Sequence, residues 1–138
     1  METKLINGGI SVDDRGFVRF VNDFNFSDVK RFYQVCNHER GFIRAWHGHK
    51  NEAKYVYVSK GTALVGAVNL ETEEIKKFVL TDKKPTILYI PSGFANGFKT
   101  LEEDTQILFF STSLLEQSLN DDIRFEYNKW NIWEDEYR

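Results

Sequence analysis

Rhythm is what most restricts the fold of this chain. Short runs of β-branched and aromatic residues recur between turn signals along most of its length. Residues 17–21, 31–36, 42–47, 55–59, 62–70, 75–80, 86–90 and 106–111 each have the length and composition of a strand. Lys60-Gly61 lies between two of them and predicts a hairpin turn. Asp82-Lys83-Lys84-Pro85 predicts another connection. Only residues 113–120 suggest a helix, and a short one. Many short, closely spaced strands make an all-β sandwich or barrel. No repeat, low-complexity run or linker interrupts the pattern. Residues 1–138 are therefore expected to form one domain, long enough for a core of its own.

Composition narrows the function. Twelve Phe, six Tyr and three Trp suit strands and a ligand cavity better than a helical bundle. Phe20, Phe78, Phe109 and Phe110 are expected in the core, and Trp130 and Trp133 in packing or an interface. The polar runs Glu71-Thr72-Glu73-Glu74 and Glu102-Glu103-Asp104 read as a solvated turn and a hairpin tip. Net charge is −3 and no basic stripe is present, so nucleic acid is not an expected partner. The single cysteine forbids an internal disulfide, and Cys36 reads as a small buried hydrophobe. The N-terminal residues lack the apolar run of a signal peptide. No stretch approaches the roughly 20 apolar residues of a membrane span. The expectation is a cytoplasmic enzyme or binding protein, without a membrane partner.

Chemistry concentrates in Arg44-Ala45-Trp46-His47-Gly48-His49-Lys50-Asn51-Glu52-Ala53-Lys54. On a strand, His47 and His49 project to the same face. Two imidazoles among cations make either a metal site or a place for proton transfer. Histidine suits the second role because its unperturbed pKa is about 6.5. Arg44 lies three residues from His47, so a regular strand points the two apart. A bulge or bend must bring them together if both serve one site.

These residues carry a resemblance. Cupin barrels have His-x-His, then a glutamate and a glycine turn, and later Pro-x-Gly-x-x-His. This chain has His47-x-His49, Glu52 and Gly61, then Pro91-x-Gly93-x-x-Asn96. It therefore resembles a cupin, a double-stranded β-helix or jelly-roll barrel. Glu52 follows His49 one residue sooner than the metal-binding pattern requires, and Asn96 stands where the third histidine is expected. Metal sites of this kind need several ligands in fixed geometry. Neither a metal nor any other cofactor is expected.

Within cupins, Asp14-Arg15-Gly16-Phe17, Ile43-Arg44-Ala45-Trp46-His47, Lys54-Tyr55-Val56, Ile90-Pro91-Ser92-Gly93-Phe94-Ala95-Asn96-Gly97-Phe98 and Trp130-Asn131-Ile132-Trp133 resemble motifs of the dTDP-4-dehydrorhamnose 3,5-epimerase family, in the same order. Asp28-Val29-Lys30-Arg31-Phe32-Tyr33 and Arg44-Ala45-Trp46-His47-Gly48-His49-Lys50 resemble the dTDP-4-keto-6-deoxyglucose 3,4-ketoisomerases. The resemblance implies a nucleotide-linked 4-keto sugar, most simply a dTDP-sugar, as substrate. It implies epimerisation at C3, C5 or both, with 3,4-ketoisomerisation or non-catalytic sugar binding as alternatives, and a homodimer. By resemblance His47 is the base, His49 the second histidine of the ketoisomerase motif, and Arg44 and Lys54 the cations near the 4-oxygen. Arg15 would meet the pyrophosphate, and Asn96 either substrate or the packing of the barrel mouth. The epimerases carry a Tyr-Tyr pair after the strand that matches 106–111. Here Leu114 and Leu115 stand in that region. Tyr33 is the candidate acid in their place, with Tyr55 and Tyr57 behind it. The resemblance also implies a carboxylate that orients the histidine; it has no clear match here, and Asp121, Asp122 and Glu126 lie near its place in the sequence.

Overall fold

The computed structural model describes residues 1–138. Twelve strands and one short helix follow in order: β1 (Lys4–Asn7), β2 (Gly9–Asp13), β3 (Gly16–Phe20), β4 (Arg31–Cys36), β5 (Ile43–His49), β6 (Lys54–Lys60), β7 (Thr62–Asn69), β8 (Ile75–Thr81), β9 (Thr86–Ile90), β10 (Phe94–Thr100), β11 (Gln106–Ser111), α1 (Leu115–Leu119) and β12 (Ile123–Arg124). One five-stranded sheet has the order β1-β9-β6-β11-β4, a second the order β12-β5-β10-β7-β8, and β2-β3 form a separate hairpin. No helix is long and apolar enough to cross a membrane.

The two large sheets face each other. Val56 and Val58 of β6, Leu88 and Ile90 of β9 and Ile107 and Phe109 of β11 pack against Ala63, Val65 and Ala67 of β7, Leu80 of β8 and Phe94 and Phe98 of β10 in one buried cluster. The alternation along each strand explains the arrangement. In β6, Lys54, Val56 and Val58 are buried while Tyr55, Tyr57 and Ser59 are half-buried on the other face. In β11, Ile107, Phe109 and Ser111 are buried and the residues between them are not. Side chains two apart share a face, so one register decides them all. This is the jelly-roll barrel that the strand rhythm and the cupin resemblance implied.

Tryptophans close the outside of the second sheet. Trp46, Val68 and Ala95 on its outer face pack under Trp130 and Trp133 of the C-terminal segment. Trp46 Nε1–H and Trp133 Nε1–H both donate to the Tyr127 carbonyl, at 3.1 and 2.9 Å. Aromatic bodies with one donor each satisfy both apolar burial and the backbone carbonyl. The two tryptophans expected in packing are there.

Several expectations are corrected. Lys60-Gly61 is not a hairpin turn, because β6 pairs with β9 and β11 while β7 pairs with β8 and β10. It is a corner where the chain changes sheets. Gly61 has a φ of +83°, and a Cβ there would meet Thr105 Oγ1 at 2.4 Å, so the corner excludes a side chain. Asp82 ties it to the β8–β9 corner: the Gly61 N–H donates to its carboxylate at 2.9 Å, and its own N–H donates to the Gly61 carbonyl at 3.0 Å. Residues 102–104 likewise join strands of different sheets, whereas 70–74 do form the hairpin between paired strands β7 and β8. Phe20 lies exposed on the β3 arm, Phe110 faces outward from β11, and Cys36 is exposed on the outward face of the edge strand β4. Strands β1, β2, β10 and β12 were not expected. β10 is broken up by Asn96-Gly97, which conceals its alternation.

Candidate active site

Between the sheets, under α1, lies a cavity of about 280 Å³. β5 and β10 form one wall. Their register places Asn96 opposite His47 and Phe98 opposite Arg44, with one residue between them on β10 and two on β5. That two-against-one count is a β-bulge at Ala45-Trp46. It rotates Arg44 back to the face that His47 occupies, as the site requires. Gly97 is the single residue facing the bulge. A Cβ on it would stand 2.5 Å from the Ala45 Cβ, so only glycine lets the strands approach. Arg44, His47, His49, Asn96 and Phe98 all line the cavity as a result.

β4, β6 and β11 form the other wall. Ser111 is paired with Lys54 on one side and Arg31 on the other, and Phe109 with Val56 and Tyr33 in the next inward row. Tyr33 stacks on Phe109 at 5.0 Å between ring centroids. The Arg31 guanidinium stands over the Tyr33 ring at 5.1 Å and the Lys54 ammonium at 5.8 Å. Arg31, Tyr33 and Lys54 therefore face His47 and Asn96 across one space. Tyr55 and Tyr57 lie on the outer face of β6. The Tyr55 hydroxyl donates to Asp28 there, and burial with that carboxylate pushes its pKa up to about 12. Neither of these two tyrosines is a donor into the cavity.

The two histidines differ. His47 is about a third exposed, with Nδ1 3.9 Å from Asp122 Oδ1. Burial, then Arg124 and Lys54, hold its pKa below the ordinary value, against the opposing effect of Asp122. A neutral imidazole beside cations can accept a proton near neutral pH. His49 is buried, with its Nδ1 2.7 Å from the Asp121 carbonyl and its Nε2 3.6 Å from Glu52 Oε2. Burial and Lys54 lower its pKa, while Glu52 and the Asp121 carbonyl oppose them.

Of the three candidate carboxylates, Asp122 faces His47. The Asp121 carboxylate instead accepts the backbone N–H groups of Lys50, Asn51 and Glu52 at 2.8, 2.9 and 3.0 Å and fixes the β5–β6 loop. Those bonds hold its pKa low although burial alone would raise it. Glu126 lines a separate outer groove. Arg15 lies outside the cavity of its own chain. It sits at the β2–β3 turn, where Asp13 binds its guanidinium at 2.6 Å. No group of three or more His, Cys, Asp or Glu side chains is gathered as a metal cage.

Sequence reasoning missed Arg31, Arg124, and Leu115 and Leu119 of α1 as lining residues. Arg31 was within reach, since it lies two residues from Tyr33 on a strand. Arg124 arrives through its pairing with His47 in β12, a two-residue strand without a sequence signal. α1 brings Leu115 and Leu119 over the cavity.

Two facing β-sheets enclose a cavity that sets an imidazole against cations and a phenol. The chain belongs to the dTDP-4-dehydrorhamnose 3,5-epimerase family, whose model matches residues 2–136. A spore coat polysaccharide biosynthesis protein of Bacillus subtilis (strain 168) is 26% identical over 137 residues, 91% of each chain. A Bacillus anthracis dTDP-4-dehydrorhamnose 3,5-epimerase, solved with TDP and PPi bound, superposes with a TM-score of 0.82 at 23% identity, over 94% of this chain and 81% of that one. A TDP-quinovose 3,4-ketoisomerase of Campylobacter jejuni superposes at 0.70 and 21% identity, over 92% of this chain and 95% of the other. The family is one of isomerases, and this chain is a member.

Proposed function

We propose that the protein epimerises a nucleotide-linked 4-keto sugar, a dTDP-sugar in view of its kinship, at C3, C5 or both. One observation carries the reading. A proton-accepting group, His47, and a proton-donating group, Tyr33, stand on opposite sheets and face one cavity that also holds the Lys54 and Arg44 cations. The 4-keto group acidifies the C–H bonds on either side of it. His47 removes one of these protons and Asp122 offsets the imidazolium that forms. Lys54 and Arg44 meet the charge that moves onto the 4-oxygen. Electrostatic stabilisation of this kind is often the largest single contribution to catalysis. Tyr33 then returns a proton from the other face, which inverts the centre. Asn96, buried beside His47, contacts the substrate from the same wall. No step calls for a metal or redox cofactor, and activity is expected to survive exhaustive chelation.

The 3,4-ketoisomerase reading has its own support. His49 lines the cavity with His47, and Tyr33 comes from the segment that resembles those enzymes. The chemistry diverges only after the enolate forms. Incubation with 4-keto nucleotide sugars in deuterium oxide, followed by NMR, separates the readings. Deuterium at C3 or C5 with the ketone still at C4 is the expected result. A 3-keto product establishes the ketoisomerase, and no exchange with any of them leaves a sugar-binding module.

The working unit is proposed to be a cytoplasmic homodimer. Phe26 and Phe32 are 60 and 67% exposed on the outer side of the first sheet, and Val12, Phe17 and Val18 are exposed on the β2–β3 arm. So much uncovered apolar surface supports an interface. Arg15, on the same arm, would serve the pyrophosphate of a second copy's substrate.

A further inference from the structure

The mechanism above gives no role to one fully buried ionisable side chain behind the cavity wall. Glu52 is not part of the cavity lining, and its side chain is fully buried. Its carboxylate is where the two walls meet. Lys54 Nζ stands 3.4 Å from Oε2, His49 Nε2 3.6 Å from Oε2, and Arg31 3.6 Å from Oε1. All three of these cavity residues touch it from the cavity side. Ser111, which links Lys54 to Arg31 across the sheet, and Ser118 of α1 are its other neighbours. Three backbone bonds to Asp121 fix the loop that carries it, one of them from its own N–H.

Charge makes this arrangement necessary. Arg31, Arg44, Lys54 and Arg124 all line the cavity, and Asp122 is the one carboxylate among the lining residues. Arg44 donates to Asn37 at 2.7 Å and Arg124 to Asp122 at 2.9 Å, so each has a partner elsewhere. Lys54 and Arg31 have only Glu52 as a countercharge within 4 Å. Lys54 is 8% exposed, and an ammonium so far from water is held only by a paired charge. Burial by itself would push the Glu52 carboxyl up. The Ser118 hydroxyl, Lys54 and His49 outweigh it and keep the group ionised.

We propose that Glu52 is a positioning residue, which from behind the cavity wall fixes the Lys54 ammonium and the His49 ring at the places where they meet the reacting sugar. The proposal rests on the epimerase or ketoisomerase reading for its kinetic consequence, but not for its spectroscopic one. Glu52→Gln keeps the size of the side chain and removes its charge. kcat is expected to fall on the order of 10- to 100-fold, less than the roughly 10²–10³ that follows loss of a stabilising donor itself. KM is expected to change by less than about threefold, since Glu52 touches no substrate. Glu52 favours the imidazolium of His49, so in Glu52→Gln the NMR titration of His49 moves to lower pH, and that of His47 moves less. A packing role alone would not produce that shift. Glu52→Asp, which keeps the charge at shorter reach, should recover part of kcat and of the titration, and it carries the test if Glu52→Gln does not fold. If Glu52 acts through Lys54, the double variant Glu52→Gln/Lys54→Gln loses little more activity than Lys54→Gln alone. Additive losses, an unmoved His49 titration, or a kcat within twofold of the parent would overturn the proposal. A parent protein inactive on every 4-keto nucleotide sugar would instead count against the proposed function, with the His49 titration still deciding the place of Glu52.

Discussion

The wall built on β5 and β10 and the wall built on β4, β6 and β11 hold their charges differently. On the first, His47 is about a third exposed and its nearest carboxylate is 3.9 Å away. On the second, Lys54 is 8% exposed and 3.4 Å from a carboxylate that is wholly out of solvent. On the first wall the His47 imidazole is open enough to solvent to gain and lose a proton. The second is a fixed electrostatic surface, with Tyr33 pressed on Phe109 beneath two cations. A proton acceptor benefits from access, while a stabiliser of developing charge benefits from being placed beforehand.

If the walls differ in this way, removing the acceptor has the largest effect. His47→Asn should lower turnover by roughly 10²–10⁴-fold, the usual contribution of a positioned base. Its thermal midpoint should stay near that of the parent, because His47 is not part of either buried cluster. Measuring solvent exchange into substrate alongside a melting curve checks both. Near-normal exchange would transfer the base to His49, the buried imidazole of the same wall.

Stability gives a smaller effect on the hinge between the walls. The Asp121 carboxylate accepts three N–H groups of the β5–β6 loop and so joins the end of β5 to the start of β6. Asp121→Ala removes three bonds to a charged acceptor, but the Lys50 and Asn51 donors are exposed and turn to water, so unfolding in denaturant should show a loss of about 1–2 kcal/mol. Asp122→Ala, on the exposed side of His47, should cost much less stability and more activity.

The pH dependence gives the smallest effect. His47 must be neutral to accept a proton, and its pKa is held below the ordinary value by burial, Arg124 and Lys54. The acid limb of the kcat/KM profile should therefore fall below pH 6.5 or so, the ordinary imidazole value. Arg124→Gln removes a positive charge that opposes protonation and frees Asp122, which favours it. Both changes raise the His47 pKa, so the limb should move to higher pH in that variant. A limb that stays in place would mean another group titrates.

How far the sequence discloses this site follows from what each residue depends on. His47 and His49 share a face because of spacing alone, and Tyr33 carries Arg31 with it by the same alternation. Arg44 does not follow from spacing. It reaches the cavity through the bulge opposite Gly97, which depends on a second strand distant in the chain. The Lys60-Gly61 corner was misjudged for the same reason. Gly at a positive φ serves a hairpin and a change of sheet equally, and only strand pairing separates them. Asp122 could not be chosen over Asp121 and Glu126 from sequence, because the choice is made by β12 pairing with β5. Glu52 stood out for a metal-ligand pattern that it only approximates. Its burial beside two cations and an imidazole depends on contacts between sheets and a helix that no local pattern contains.

The division of labour between the walls is tested most directly by the fate of the proton in Tyr33→Phe. That change keeps the ring on Phe109 and removes only the hydroxyl. With a substrate the parent inverts, the reaction is run in deuterium oxide and the configuration of deuterated product is read by NMR. The account predicts that deuterium still enters, because His47 is untouched, but with the original configuration, and that inverted product falls by at least tenfold or so, within the range for a lost acid. Inversion at the parent's rate would contradict it and show that the proton comes from water or another side chain rather than from the Tyr33 wall.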